Sequence, residues 1–339
     1  MYKIVASFFD GFSGTMFALD KLGIEPDEYH AFEIDPYPTA VSKYNFPNII
    51  RHGDARNWTK LKGKKIDLLV AGFPCQSYSI AGLRKYQEDD RDMSKVLIQA
   101  LKELDVDKVL IENVASMPTE WRDYFTQTFK DIFPDISLYL EDSAKSSPQS
   151  RKRFYWTNII YNDIKDEGMV LNDILEDGAM ADRDKSHCLD ANYFKGGNLE
   201  HYYKKSRRQV VFSTNRLDKC KQVGVADLKG YDIIKRVYDR QGKSPTLTTM
   251  QGGWRMPKVP TLGMMDSDKL GWRALTPLEC ERLQTVPDGC TQYGIFDFCL
   301  EREHDEYKKP ISNSQRYKML GNGFCVSTIA NILKGVDHG

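Results

Sequence analysis

Short apolar runs broken by glycine, proline and acids set the rhythm of the first 160 residues. Residues 2–9 predict a first strand, Gly11 and Gly14 turn the chain, and 16–22 keep helical spacing up to Gly23. A second strand is predicted at 29–34, a helix at 36–44 and a third short strand at 48–51, followed by His52-Gly53-Asp54. Residues 66–71 follow Lys64-Lys65 and read as a buried strand, stopped by Gly72 and Pro74. The pattern continues with a helix at 96–104, a strand at 108–111 that delivers Glu112, a helix at 121–133, and strands at 137–141 and 148–156. Strands alternating with helices predict an α/β fold with a mostly parallel sheet. Near the C-terminus, Thr276-Pro277-Leu278-Glu279 is a capping box with proline at the first helical position, so a helix to about Gln284 follows, and 325–334 is a second helix.

Composition narrows the class. A chain of 339 residues suggests about two domains, and 41% hydrophobic with 28% charged residues is ordinary for a globular protein. No run reaches the ~18 apolar residues of a membrane span, and the N-terminus lacks a charged-then-apolar signal, so a cytoplasmic protein without membrane contact is expected. The seven cysteines include no Cys-x-x-Cys pair, which argues against a disulfide framework and against a zinc site; no metal is expected. Acids and bases balance at 48 each, yet residues 195–222 hold eight Lys/Arg against two Asp/Glu.

Several positions then carry candidate chemistry. Cys75 follows the strand at 66–71, and in open α/β sheets ligands sit beyond the carboxyl ends of strands. It is either a nucleophile or a small buried residue closing a strand. The Gly11–Gly14 turn and Glu33, 19 residues past Gly14, have the spacing of a nucleoside site, in which the acid accepts from ribose hydroxyls. Glu33 and Asp54 serve equally well as helix N-caps. A phosphate-binding loop of the Gly-x-x-x-x-Gly-Lys kind is absent, which favours a nucleoside without a long phosphate chain. Residues 84–95 carry eight charges in twelve positions, a solvated loop or a mobile lid. Glu112 is a candidate general acid or an N-cap. Alternation places Arg151 and Arg153 on one strand face, to hold an anion or electron-rich oxygen, or simply at a surface edge.

The order Phe9-x-Gly11-x-x-Gly14, Pro74-Cys75-Gln76, Glu112-Asn113-Val114, Gln149-x-Arg151-x-Arg153 resembles the cytosine-C5 DNA methyltransferase family of bacterial and phage modification enzymes. Leu275-Thr276-Pro277-Leu278-Glu279-Cys280-Glu281-Arg282-Leu283-Gln284 and Leu320-Gly321-Asn322-Gly323-Phe324 are similar to that family's last two blocks, and together the likeness spans about 4–160 and 272–334. The resemblance implies a Rossmann-like methyltransferase domain with a smaller inserted target-recognition domain: 1–160 and 270–339 around 161–269. It implies S-adenosyl-L-methionine as cofactor, held by Phe9, Gly11, Gly14, Glu33 at the ribose, Asp54 at the adenine, Phe73 and Asn322. Cys75 would add to cytosine C6, Glu112, kept protonated by its surroundings, would protonate N3, and Arg153 with Arg151 nearby would stabilise charge at O2. The target cytosine lies within double-stranded DNA and would be flipped out. One departure is Ser13, where the family more often has glycine, and it bears on how closely the cofactor's methionine end packs.

The middle segment interleaves aromatics with cations, as phosphate-tracking surfaces do, although a basic solvated face has the same composition. DNA contacts are expected from Lys204, Lys205, Arg207, Arg208, Thr248 and Arg255. A monomer is expected, and the resemblance leaves open whether a cognate restriction endonuclease acts on the same site. Two other readings stand beside DNA methylation: a tRNA cytosine-C5 methyltransferase of the same fold, and a catalytically idle DNA-binding homologue.

Overall fold

Consecutive residues of the central strands belong to two different cores. Leu68 and Val70 face one, Leu69 and Ala71 the other, as the two-residue period of a strand covered on both faces requires. The structure, a computed structural model, describes residues 2–74, 93–176, 179–195, 199–213, 222–225, 236–238, 272–300 and 303–335. Cys75, Thr248 and Arg255 lie outside the described residues.

A seven-stranded sheet has the order β3-β2-β1-β4-β5-β7-β6. Its strands are β1 (Ile4–Phe8), β2 (Glu28–Phe32), β3 (Ile50–Arg51), β4 (Lys65–Gly72), β5 (Asp105–Val114), β6 (Ser137–Asp142) and β7 (Lys152–Thr157). Pairing is parallel from β3 through β5, and β7 runs antiparallel between β5 and β6. Such a sheet with helices on both faces is the Rossmann-like methyltransferase architecture expected from the sequence.

One face is covered by α3 (Met93–Glu103) and α4 (Thr119–Ile132), through Leu97, Ala100, Leu101, Phe125 and Phe129. The other is covered by α1 (Gly14–Lys21), α2 (Pro36–Asn45) and α8 (Val326–Leu333). Helix α8 packs on α1, where Lys21 Nζ donates to Ser327 Oγ at 2.7 Å. Ile164, Leu171, Ile174, Leu189 and Tyr193 share this same core with Leu275 and Leu283, so these residues pack with the C-terminal part of the chain.

The capping box forms as read: Thr276 Oγ1 accepts from Glu279 N at 3.2 Å, and Glu279 Oε2 accepts from Thr276 N at 2.8 Å, starting α6 (Pro277–Leu283). Strand β5 is longer than the apolar pattern at 108–111 indicated, because ladder pairing continues through Glu112 to Val114. Helix α3 starts three residues before the expected 96. The smaller elements are β8 (Ala179–Met180), α5 (Leu199–Lys205), β9 (Val210–Ser213), the pair β10 (Gln222–Val225) and β11 (Arg236–Tyr238), and β12 (Trp272–Ala274). Strands β12, β9 and β8 form a three-stranded antiparallel sheet. A ribbon of β13 (Tyr293–Leu300) and β14 (Glu303–Pro310) packs on α2 and leads to α7 (Asn313–Asn322). The pattern at 303–310 is too charged to have signalled a strand. Among the described residues, no helix is long and apolar enough to cross a membrane, and no group of three or more His, Cys, Asp or Glu is placed to hold a metal ion.

Candidate active site

The glycine turn after β1 is a strained, wired loop. Phe9, Gly11 and Ser13 all have positive φ, at 58°, 59° and 68°. Two of the three carry a steric cost that a glycine would avoid, so the surrounding bonds must hold them there. Asp10, beneath the turn, accepts from Ser13 Oγ at 2.6 Å and Tyr29 Oη at 2.6 Å. Burial pushes the Asp10 carboxyl up, partly offset by these hydrogen bonds. Ser13 Oγ also meets Ser42 Oγ at 2.6 Å, so the side chain that stands in place of glycine turns inward, into a polar network.

Glu33, one residue past β2, ties the second strand end to that turn. Its Oε2 accepts from Gly11 N at 2.9 Å, and its Oε1 accepts from Ile34 N at 2.8 Å and Asp35 N at 2.7 Å. Burial raises its pKa, while the three N–H donors act to lower it. Ile34 beside it is 73% exposed, an apolar surface next to a hydrogen-bonding carboxylate. Asp54 caps a short 3-10 turn (Ala55–Leu61), accepting from Arg56 N at 2.8 Å, and also pairs with Arg56 Nη1 at 2.8 Å. Phe73 is buried, its ring 5.0 Å from that of Phe125, and its carbonyl accepts from Asn113 Nδ2 at 3.1 Å.

Ladder register sets the other side of the crevice. Gly72 at the end of β4 pairs with Glu112 on β5, and Val114 pairs with Arg153 on β7. Glu112 and Arg153 are therefore diagonal neighbours on one sheet face, within reach of a long side chain. They form an ion pair at 2.9 Å, each half 13% exposed. Burial alone would lower the Arg153 guanidinium, but the charge of Glu112, with the Cys188 sulfur, holds it above its ordinary value. The resemblance implies surroundings that keep Glu112 protonated; the structure puts a cation beside it. Cys75 is three residues beyond Gly72.

Arg151 goes elsewhere. It precedes β7 and is buried, and its guanidinium donates to the carbonyls of Leu189 at 3.0 Å, Gly321 at 3.2 Å and Gly323 at 2.8 Å. Cys188 Sγ lies 3.5 Å from Arg151 Nη1 and 3.9 Å from Arg153 Nη2. No motif in the sequence marked Cys188.

Phe324, also missed as a site residue, closes the floor. A Cβ on Gly14 would lie 3.5 Å from its ring and one on Gly72 only 2.9 Å, so glycine at 72 is a packing requirement. The exposed Asn322 ends α7 just before it, and a Cβ on Gly323 would strike Phe12 of the first turn at 2.5 Å. Gly11, Gly14, Glu33 and the 322–324 segment are therefore close neighbours. A φ-positive glycine turn beside a bonded acid suits a nucleoside.

The basic residues of the middle segment are on the surface. Lys204 and Lys205 end α5 and Arg207 follows, all exposed, with Arg208 half-buried; Arg207 pairs with Asp190 at 3.0 Å.

A sequence model of C-5 cytosine-specific DNA methylases matches residues 4–338. The orphan methyltransferase M.SPBetaI of Bacillus phage SPbeta is 26% identical, over 98% of this chain and 97% of its own length. The type II methyltransferase M.HhaI of Haemophilus parahaemolyticus is 25% identical over 97% and 91%. Among solved structures, a Spodoptera frugiperda DNMT2 mutant superposes with a TM-score of 0.59 at 17% identity, covering 99% of this chain and 100% of that one. The S. pombe Dnmt2 methyltransferase gives 0.58 at 13%, covering 98% and 97%. These last two likenesses speak for the fold.

Proposed function

Because the chain belongs to the C-5 cytosine-specific DNA methylase family, with S-adenosyl-L-methionine as its methyl donor, we propose that it methylates C5 of cytosine in double-stranded DNA through a covalent bond from Cys75. The observation that carries this reading is the Glu112–Arg153 pair at 2.9 Å, aligned with Gly72 at the strand end that leads to Cys75.

Each residue has a distinct task. The Cys75 thiolate adds to C6, and the electrons of the C5–C6 double bond move to C5, giving an enamine. Glu112, in its protonated form, donates a proton to N3, which makes that addition favourable. Arg153, oriented by Glu112 and by its bond to the Lys152 carbonyl, stabilises the charge that builds at O2. Phe9, Gly11, Gly14, Glu33, Asp54 and Asn322 hold the cofactor, which supplies an electrophilic methyl group on a sulfonium. Once C5 has taken that methyl group, with S-adenosylhomocysteine as the leaving group, a base removes the C5 proton, the S–C6 bond breaks, and Cys75 leaves as the thiolate. A cytosine stacked in a duplex does not present C6 to a thiol, so the base is extruded before attack. Lys204, Lys205, Arg207 and Arg208 supply phosphate contacts, with Thr248 and Arg255 reading base edges, within a recognition domain of about 161–269.

Methyl transfer to duplex DNA and to tRNA, measured side by side, tests the substrate; preference for tRNA overturns it. Cys75→Ser should abolish turnover, because a hydroxyl near neutral pH offers almost no anion. DNA containing 5-fluorocytosine should trap the wild-type protein as an adduct stable on denaturing gels, since fluorine does not leave as the proton does. Methyl transfer by Cys75→Ser within tenfold of wild type defeats the covalent route.

A further inference from the structure

Arg151 joins three parts of the molecule that the sequence keeps far apart. Two residues along the same chain, Arg153 meets Glu112. One side of the Arg151 guanidinium, Nη1, donates to Leu189 O at 3.0 Å and reaches Cys188 Sγ at 3.5 Å. The other, Nη2, donates to Gly321 O at 3.2 Å and Gly323 O at 2.8 Å, on either side of Asn322. Its backbone is fixed as well, with Arg151 N donating to Asp142 Oδ1 at 2.8 Å.

Two buried glutamines flank this fork. Gln149 Oε1 accepts from Leu189 N at 2.8 Å, while its Nε2 donates to Leu283 O at 3.3 Å. Gln284 Nε2 donates to Leu320 O at 2.5 Å and Gly323 O at 3.4 Å. The fit is close: a Cβ on Gly321 would collide with the backbone of Asp190. From there the wiring continues outward. Asp190 pairs with Arg207 at 3.0 Å, and His187 N donates to Gln209 Oε1 at 3.1 Å. The surface segment at 204–208 is thus bonded, through 188–190, to the end of α7 that carries Asn322.

A guanidinium is a rigid planar fork of five donors, and a buried one is heavily destabilised if its acceptors withdraw. Neither the 188–190 segment nor the 321–323 segment can move alone without stranding one side of Arg151. We infer that Arg151 is a positioning residue that couples the two substrate sites: DNA bound at 204–208 holds the 188–190 segment in place, and through Arg151 it fixes the cofactor wall at 321–323, and the reverse. This rests on the DNA and cofactor reading given above. Coupling between sites is reciprocal, so each ligand raises the other's affinity by the same factor.

The test measures the dissociation constant of S-adenosylhomocysteine, which cannot donate a methyl group, with and without saturating random-sequence duplex. Wild type should bind it at least about fivefold tighter with DNA, within the usual range of such couplings. In Arg151→Met the ratio should fall to within twofold, with the affinity in the absence of DNA changed by less than the coupling removed. Arg151→Lys keeps the charge but cannot bridge both carbonyl sets, so its ratio should fall at least threefold; it carries the test if the methionine variant does not fold. A wild-type ratio within twofold, or an undiminished ratio in Arg151→Lys, overturns the inference. Methyl transfer to DNA by wild type is measured first: if that fails, the proposed function falls with it, whereas active enzyme without coupling removes the role of Arg151 alone.

Discussion

Glu33, Gly72 and Glu112 reach the crevice by the shortest route the fold allows, as residues at or next to the ends of parallel strands. The Gly321–Gly323 segment at the C-terminal end of α7 is held in the opposite way, by Arg151 bonds that span 170 and 172 residues of chain. The first kind of wall is set by ladder register, so a substitution there changes chemistry while the strands stay paired. The second kind is set by side chains from distant segments, so a substitution there changes whether the wall stands at all. Strand ends supply groups; the helix end supplies closure.

Removing the closure should have the largest effect. Phe324→Ala deletes a buried ring at the meeting point of Gly14 and Gly72 and should cost about 3–5 kcal/mol of stability, read as a shift of the urea midpoint. A variant unfolding at the wild-type midpoint would mean that the glycines, and not the ring, set that packing. Glu112→Gln addresses the other wall. It should slow methylation by about 10²-fold or more and leave S-adenosylhomocysteine affinity within a few-fold. If Glu112→Gln and Glu33→Ala weakened cofactor binding equally, the division of the crevice into base and cofactor sides would dissolve.

Smaller effects sharpen the contrast further out. Replacing Lys204, Lys205, Arg207 and Arg208 with glutamine should weaken binding to all DNA sequences. It should flatten the log-affinity against log-salt slope by about one unit for each phosphate that is no longer neutralised. S-adenosylhomocysteine binding without DNA should persist, and an unchanged slope would mark the cluster as a solvated face. The last effect belongs to the far edge of the sheet. His52 lies 2.9 Å from His30 Nδ1 and stacks on Phe32 at 4.8 Å. Burial, then the nearby His30 and lysines, lowers its pKa from 6.5 to about 4. The unfolded chain takes up that proton first, so this contribution is complete above pH 6.5 and shrinks as pH falls toward 4. His52→Gln should therefore lessen the drop in Tm between pH 7.5 and 5; an equal drop in both proteins would show that other groups cause it.

What could be read from the sequence follows the same division. Residues with local signatures were legible: the apolar period of β1, β4 and β5, the glycine turn, and the capping box at Thr276. Glu33 and Glu112 stood out because a strand pattern ended beside an acid. Asp54 had two open readings, and its carboxylate does cap the following turn. Arg151 and Arg153 looked equivalent by alternation, yet one faces Glu112 and the other three carbonyls. Nothing local distinguishes them, since what separates them is a pair of segments that arrive much later in the chain. Cys188 and the role of Phe324 were hidden for the same reason.

The wedge of Phe324 between Gly14 and Gly72 also has a consequence in time. A polypeptide leaves the ribosome N-terminus first, and the last strand of the large sheet ends at Thr157. The nascent chain can therefore complete its strands, its glycine turn and its acids while the floor of the donor site is still untranslated. Products that stall before residue 324 would hold these strands without the ring that packs against Gly14 and Gly72.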